Sequence, residues 1–331
     1  MKGARDVKEV VFSGMRPTGR LQLGNLFGAL ESWVKLQEEG HSCFFCVVDW
    51  HAMTTAYKNP EEIQSNIKEI VIDWLSAGLD PNKAVIFKQS DVKEHAELHL
   101  LFSMFTPLSW LERCPTYKDQ IQQLEGVDLS TYGFLGYPLL QAADILLYKA
   151  TAVPVGEDQA PHIELAREIS RRFNYLYRKV FPEPKTLLNE YKLIPGLDGR
   201  KMSKSYKNTI NLSAGPEEIA EKVRLMVTDP QRIRKDDPGN PEVCTVARFR
   251  DIFSGEDTSY QTACREGKIG CVECKKQLAA AMTTRLEPLF EQRKKLERDP
   301  GYISDILAEG ARKARVVAEK TMEEVKEAAG L

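Results

Sequence analysis

No stretch of this chain is apolar for long enough to cross a bilayer. The longest apolar run, Cys43–Val48, falls far short of a span. No export signal is expected either, because Met1–Val10 is charged and has no apolar core. Neither sign of charge dominates. A formal net charge of −2 over 331 residues excludes a general basic field for nucleic acid, so any RNA contact must be a local surface. Cysteine is sparse as well. Seven residues without an export signal point to a reducing cytoplasm, where clustered thiols bind metal more often than they pair. What is present is 42% apolar residues, enough for one large core or two moderate ones, so two domains are expected.

The first half alternates strand and helix patterns. Glu9–Phe12 reads as a strand, Ser13–Arg20 as a Gly-containing turn, and Leu26, Leu30 and Trp33 follow helical spacing up to Gly40. Cys43–Asp49 has the unbroken apolar character of a central parallel strand. Asn59-Pro60 then opens a helix whose stripe is Ile63, Ile67, Ile70 and Trp74, and Ala84–Phe87 is a third strand. This order implies α/β architecture: a doubly wound parallel sheet that binds ligands beyond the carboxyl ends of its strands. Asp49-Trp50-His51 lies at such an end. Residues 95–150 read as largely helical, Val153–Gln159 as a strand and turn, and Pro161–Phe173 as a helix. From Ser213 the pattern is helical and charged: Pro216–Val227, Val272–Arg298 and Ile303–Ala329.

Three stretches carry chemistry. A strand, a Gly-containing turn and a helix start around Gly24 and Asn25 present backbone N–H groups to an anion. Gln141, Asp144 and Tyr148, with Tyr137, form a polar stripe on an apolar helix, and such a stripe needs a cavity or a ligand as partner. An ionised Asp144 suits a ligand with a buried N–H or O–H donor. Gly199–Ser205 places Lys201 and Lys204 on an exposed, mobile loop suited to closing over a polyphosphate. In isolation a K-x-x-K loop is ordinarily just a solvated charge run.

Together these stretches resemble the class I aminoacyl-tRNA synthetases. Pro17–Asn25 resembles their first signature, with Gln22 where the family often has histidine, and Lys201–Ser205 resembles the second. Ser13–Gly19, Val48–Ala52, Leu140–Leu146 and Val153–Gln159, in that order, are similar to the bacterial-type tryptophanyl family. The resemblance implies a Rossmann-type catalytic domain over 1–205 with an inserted dimer-interface segment around 95–150. A helical anticodon-binding domain would follow over 206–331. It implies a tryptophan pocket of Phe12, Gly14, His51, Tyr137, Gln141, Asp144, Val153 and Gln159. ATP, with Mg²⁺, would meet Arg16, Thr18, Gln22, Gly24, Asn25, Gly156, Asp158, Lys201, Met202, Ser203, Lys204 and Ser205, with Lys118 reaching the phosphates. Tryptophanyl-adenylate formation and transfer to tRNA(Trp) by a cytoplasmic homodimer would follow. A tyrosine-specific relative and an RNA-binding regulator that has lost catalysis are the competing readings.

Cys244, Cys264, Cys271 and Cys274 are spaced C-x19-C-x6-C-x2-C. Four thiolates suit Zn²⁺ or an iron–sulfur cluster. The resemblance, to a branch carrying [4Fe–4S] on a similar pattern, favours the cluster. Cys43 and Cys46 read as core residues inside an apolar strand.

Overall fold

The computed structural model describes residues 8–115, 117–118, 129–188, 194–255 and 257–331, excluding the side chain of Ser205. Part of the segment expected at 95–150 lies outside the described residues. Among these residues five strands form one parallel sheet: β1 (Val10–Met15), β2 (Ser42–Val47), β3 (Ala84–Lys88), β4 (Ala152–Val155) and β5 (Lys185–Leu188). Their order is β3-β2-β1-β4-β5. All pairs are parallel, and β1 is bonded to β2 on one side and β4 on the other. The strand order therefore reverses beside β1, opening a crevice at the carboxyl ends of β1 and β4.

Alternation of side chains explains the two cores. Val11, Cys43, Phe45 and Ile86 enter one apolar cluster, while Phe12, Phe44, Cys46 and Phe87 enter the other, on the opposite face. Cys43 and Cys46 are thus packing groups, as the apolar run implies. Burial pushes Cys43 up to about 12 and Cys46 well above an ordinary thiol. On the first face lies helix α1 (residues 23–38), whose Trp33 stacks on Phe45 at 4.5 Å. Beside it α2 (Asp49–Ala56) leads into α3 (Pro60–Ser76), whose Ile63, Ile67, Ile70 and Trp74 are all buried. On the second face pack α4 (Glu94–Ser103), α5 (Leu108–Glu112), α6 (Tyr132–Leu147) and α7 (Ala160–Leu176).

The C-terminal part is helical: α8 (Pro216–Leu225), α9 (Thr245–Phe253), α10 (Ser259–Arg265), α11 (Cys271–Glu297) and α12 (Pro300–Ala329). Helix α11 is joined to α3 by a buried ion pair, Arg293 with Asp73 and Glu69. Helix α12 returns to the sheet and lies along the edge strand β3. Gly310 sits so close to Ile86 that a Cβ there would fall 1.8 Å from the Ile86 carbonyl oxygen. Ala311, Ala314 and Ala318 continue the buried stripe of small residues along α12. Strand β5 had no counterpart in the sequence reading. Its four residues are half-exposed and mix polar with apolar, so no apolar run marks it.

Candidate active site

The crevice at the β1–β4 reversal is a cavity of about 310 Å³. Strand β1 supplies Phe12 and Gly14, strand β4 supplies Val153, α6 supplies Tyr137, Gln141 and Asp144, and His51 and Gln159 close it. All eight residues expected to hold the amino acid therefore line one space. Arg16 and Gly156 line it too. The wall at Gly28 and Ala29 belongs to a π-helical turn, Leu26–Leu30, inside α1. Such bulges break the regular ladder and recur at functional sites.

Asp144 organises the floor. Although 1% exposed, it accepts from His51 Nε2 (3.0 Å), from His95 Nδ1 (2.7 Å) and, through both oxygens, from Gln89 Nε2 (2.8 Å). Gln89 is oriented by its other end, where its Oε1 accepts from the Trp50 backbone N–H at 3.1 Å. Burial alone would raise the Asp144 carboxyl, but the His95 and His51 donors overcome it and hold the group at about 2. The expected polar stripe splits. Tyr137, Gln141 and Asp144 face the cavity, whereas Tyr148 is 1% exposed and bonds His95 at 2.8 Å.

Arg16 brings a positive charge to the mouth. Its Nη2 bonds Thr55 Oγ1, its Nε has no partner, and among the described residues it makes no ion pair. Burial lowers its pKa. A desolvated cation without a carboxylate is suited to a ligand anion.

The second lysine loop reaches the first turn. Lys204 Nζ donates to the Thr18 carbonyl at 3.0 Å, and Gly24 faces both the Gln22 amide and the Met202 sulfur. Desolvation against this turn lowers the Lys204 pKa. Gln22 and Asn25 cap the start of α1: the Gln22 N–H donates to Asn25 Oδ1 at 3.0 Å, while Gln22 Oε1 is buried without a partner. The loop has anchors that the charge pattern does not show. Met202 is buried in the core, and Asn208 bonds Ser203 N (2.8 Å), the Lys201 carbonyl (3.2 Å) and Asp198 Oδ1 (2.7 Å). Its lysines remain exposed.

Comparison with known proteins gives the same answer as this junction of the two signatures. Residues 5–287 match the family model of class I tRNA synthetases (W and Y). The chain is 54% identical to the tryptophan–tRNA ligase of Thermotoga maritima, over 97% of this chain and 99% of that one. It is 47% identical to that of Aquifex aeolicus, over 97% and 99%. The crystal structure of Campylobacter jejuni tryptophanyl-tRNA synthetase complexed with ADP and tryptophan superposes with a TM-score of 0.89. That match has 35% identity and covers 97% of this chain and 99% of that one. The chain belongs to the class I tRNA synthetases of the W and Y family.

The remaining synthetase residues divide clearly. Asp158 does not line the cavity; it lies in a short 3-10 turn, where its Oδ2 accepts from Gln159 Nε2 at 2.9 Å. Thr18, Gln22, Gly24, Asn25 and the 201–204 loop lie outside the cavity lining, on the turn and loop joined by Lys204. Lys118 is exposed and does not line the cavity, and the side chain of Ser205 lies outside the described residues. Sequence reading passed over Gln89, His95 and His162. His162 lies at i+3 from Gln159 on α7, which places it on the same face, and burial draws it down to about 4, keeping the imidazole neutral. Gln89 and His95 carry no local signal, because their partner is a carboxylate some fifty residues away in the chain.

Among the described residues no group of three or more His, Cys, Asp or Glu side chains is disposed to hold a metal ion. Cys244, Cys264, Cys271 and Cys274 nevertheless fall within electrostatic reach of one another. Arg232 Nη1 lies 3.7 Å from Cys264 Sγ and Arg250 Nη1 3.6 Å from Cys274 Sγ. The Nε atoms of both arginines are buried and unpaired. Burial raises the Cys264 and Cys274 thiols, and the neighbouring Arg232 and Arg250 guanidiniums offset this only in part.

Proposed function

We propose that this chain activates L-tryptophan with Mg-ATP and transfers the tryptophanyl group to tRNA(Trp). The observation that carries the reading is one buried, ionised carboxylate at the floor of an aromatic-walled cavity whose mouth is lined by an unpaired arginine. Asp144 is an acceptor matched to the indole N–H. The substrate carboxylate is itself the nucleophile toward the α-phosphorus, so the protein's task is to position it and neutralise charge. Arg16, Lys201 and Lys204 supply that charge, with the backbone at Gly24 and Gly156 allowing close approach and Thr18, Asn25, Asp158, Met202, Ser203 and Ser205 completing the ATP site. Gln22 retains a neutral donor for phosphate, and Lys118 extends toward the phosphates. The test is amino-acid-dependent ATP–pyrophosphate exchange. Tryptophan should support it, and exchange with tyrosine alone would overturn the substrate assignment.

Residues 206–331 serve as the anticodon-binding part, and the enzyme works in the cytoplasm. Among the described residues no helix is long and apolar enough to cross a membrane. Homodimerisation through the 95–150 segment is supported by Leu100, Met104, Leu108 and Tyr132, all more than half exposed on neighbouring helices. Sedimentation of wild type against Met104→Glu tests it.

The four cysteines hold a [4Fe–4S] cluster, with Zn²⁺ as the alternative occupant. The reading is supported by the thiol set and by the two arginines beside it. Such a group would tie the loop at 229–240 to α11, far from the adenylate chemistry. Anaerobically purified protein should carry about four irons per chain. Cys271→Ser should strip the metal and impair tRNA charging while sparing pyrophosphate exchange, and a metal-free, fully active wild type would defeat the reading.

A further inference from the structure

Behind the cavity wall, two residues with no contact to the ligand space are arranged around Asp144. His95 is 0% exposed and Tyr148 1%, and neither lines the cavity. Tyr148 is fixed by stacking, with ring centroids 4.7 Å from Phe44 and 5.5 Å from Phe12. Its hydroxyl lies 2.8 Å from His95 Nε2 and has no other partner among the described residues.

These contacts determine the proton positions. A carboxylate is acceptor-only, so the His95 Nδ1 facing Asp144 Oδ1 must carry hydrogen. If Nε2 carried one as well, the Tyr148 hydroxyl would have to accept, and its own proton would be buried without a partner. That costs about 1–3 kcal/mol. The satisfied arrangement runs from Tyr148 O–H to His95 Nε2, and from His95 Nδ1–H to Asp144 Oδ1. Gln89 is held by the Trp50 N–H and cannot turn. On Oδ2 the donor that lines the cavity is His51. Oδ2 is thus the oxygen on the His51 side, where an indole N–H would share it with His51 and Gln89.

We propose that Tyr148 and His95 are positioning residues for tryptophan specificity: they lock Asp144 from behind, leaving Oδ2 as the acceptor for the indole N–H. This deepens the tryptophan reading and rests on it. The role differs from ordinary core packing in one respect, because it acts only through the indole N–H.

The experiment measures kcat and KM in pyrophosphate exchange for tryptophan and for its benzothiophene analogue, in which sulfur replaces the N–H. Tyr148→Phe should raise KM for tryptophan about 5- to 10-fold. KM for the sulfur analogue, KM for ATP and both kcat values should stay within about twofold. Two further variants separate chemistry from folding. His95→Asn puts an amide nitrogen where Nδ1 stood and should keep selectivity. His95→Gln puts it at the Nε2 position, leaves Oδ1 undonated and should lose selectivity. If Tyr148→Phe does not fold, this pair decides. Equal losses for both substrates, or no difference between Asn and Gln, overturn the proposal alone. A wild type that uses tyrosine and not tryptophan overturns the substrate reading and this proposal together.

Discussion

Lys204 stands over the first turn of the crevice, its ammonium donating to the Thr18 carbonyl at 3.0 Å. That bond holds a cation with no ion-pair partner among the described residues where phosphate charge would develop. Lys204→Ala should slow adenylate formation about 100- to 1000-fold, the loss of one charge-assisted donor in a reacting site. Tryptophan affinity should change by less than about twofold. Single-turnover kinetics separates the two, and an equal fall in affinity would mean that the loop merely shapes the pocket.

Asn208 should matter almost as much, although it touches no substrate. It is 3% exposed and ties Asp198, Lys201 and Ser203 together. Asn208→Ala should lower kcat about tenfold or more through loss of loop geometry, with KM for tryptophan unchanged. Gly196→Ala should act alike, since a Cβ there would fall 2.1 Å from Asn208 Nδ2. A wild-type rate in both variants would remove Asn208 from the mechanism.

Asp144→Asn keeps the shape of the site and inverts its polarity. The new amide N–H would meet His51, His95 or Gln89 donors, so tryptophan binding should weaken by about 1–3 kcal/mol. Stability should also fall, because the carboxylate is not isolated in the free protein but accepts from three side chains. The wild-type group titrates near 2, below the ordinary 3.8. Its contribution is therefore fully present above pH 4 and lost as pH falls toward 2. Denaturant titrations should show Asp144→Asn losing less stability across that window than wild type.

Arg293→Met should cost about 3–5 kcal/mol by stranding Asp73, which is 1% exposed. Burial already raises the Asp73 carboxyl to about 6 with Arg293 present. A carboxyl whose folded pKa is raised favours the native state below its unfolded value, near 4, and loses that advantage as pH rises through the folded value. The variant should thus be relatively more stable at pH 5 than at pH 8, and Asp73→Asn added to it should remove the difference. Equal stability at both pH values would refute the account.

The sequence made the sheet legible where one residue type dominated. The unbroken run Cys43–Val48 marks a strand covered on both faces, and the Ile63, Ile67, Ile70, Trp74 spacing marks the helix above it. Of the eight cavity residues, helical spacing marked Tyr137, Gln141 and Asp144, and the family resemblance supplied the others. What could not be read was contact between distant segments. Gln89 and His95 look like any polar residues near a helix start, and they gain meaning only when α6 brings Asp144 to them. The charge pattern of 199–205 showed the lysines but not the anchor, because Met202 and Asn208 act through a fold formed elsewhere. Strand β5 and helix α10 are short and half-exposed, so burial left little imprint on their composition.

The seat of Gly310 on Ile86 joins residues separated by more than two hundred positions in the chain. Closing so long a loop costs entropy before any contact offsets it, so docking of α12 on the sheet's edge is expected late in folding. Until α12 arrives, β3 offers an open row of peptide groups to any other strand. Damage confined to the last thirty residues would then be felt as self-association of the nucleotide-binding half, not as a local loss at the far end of the molecule.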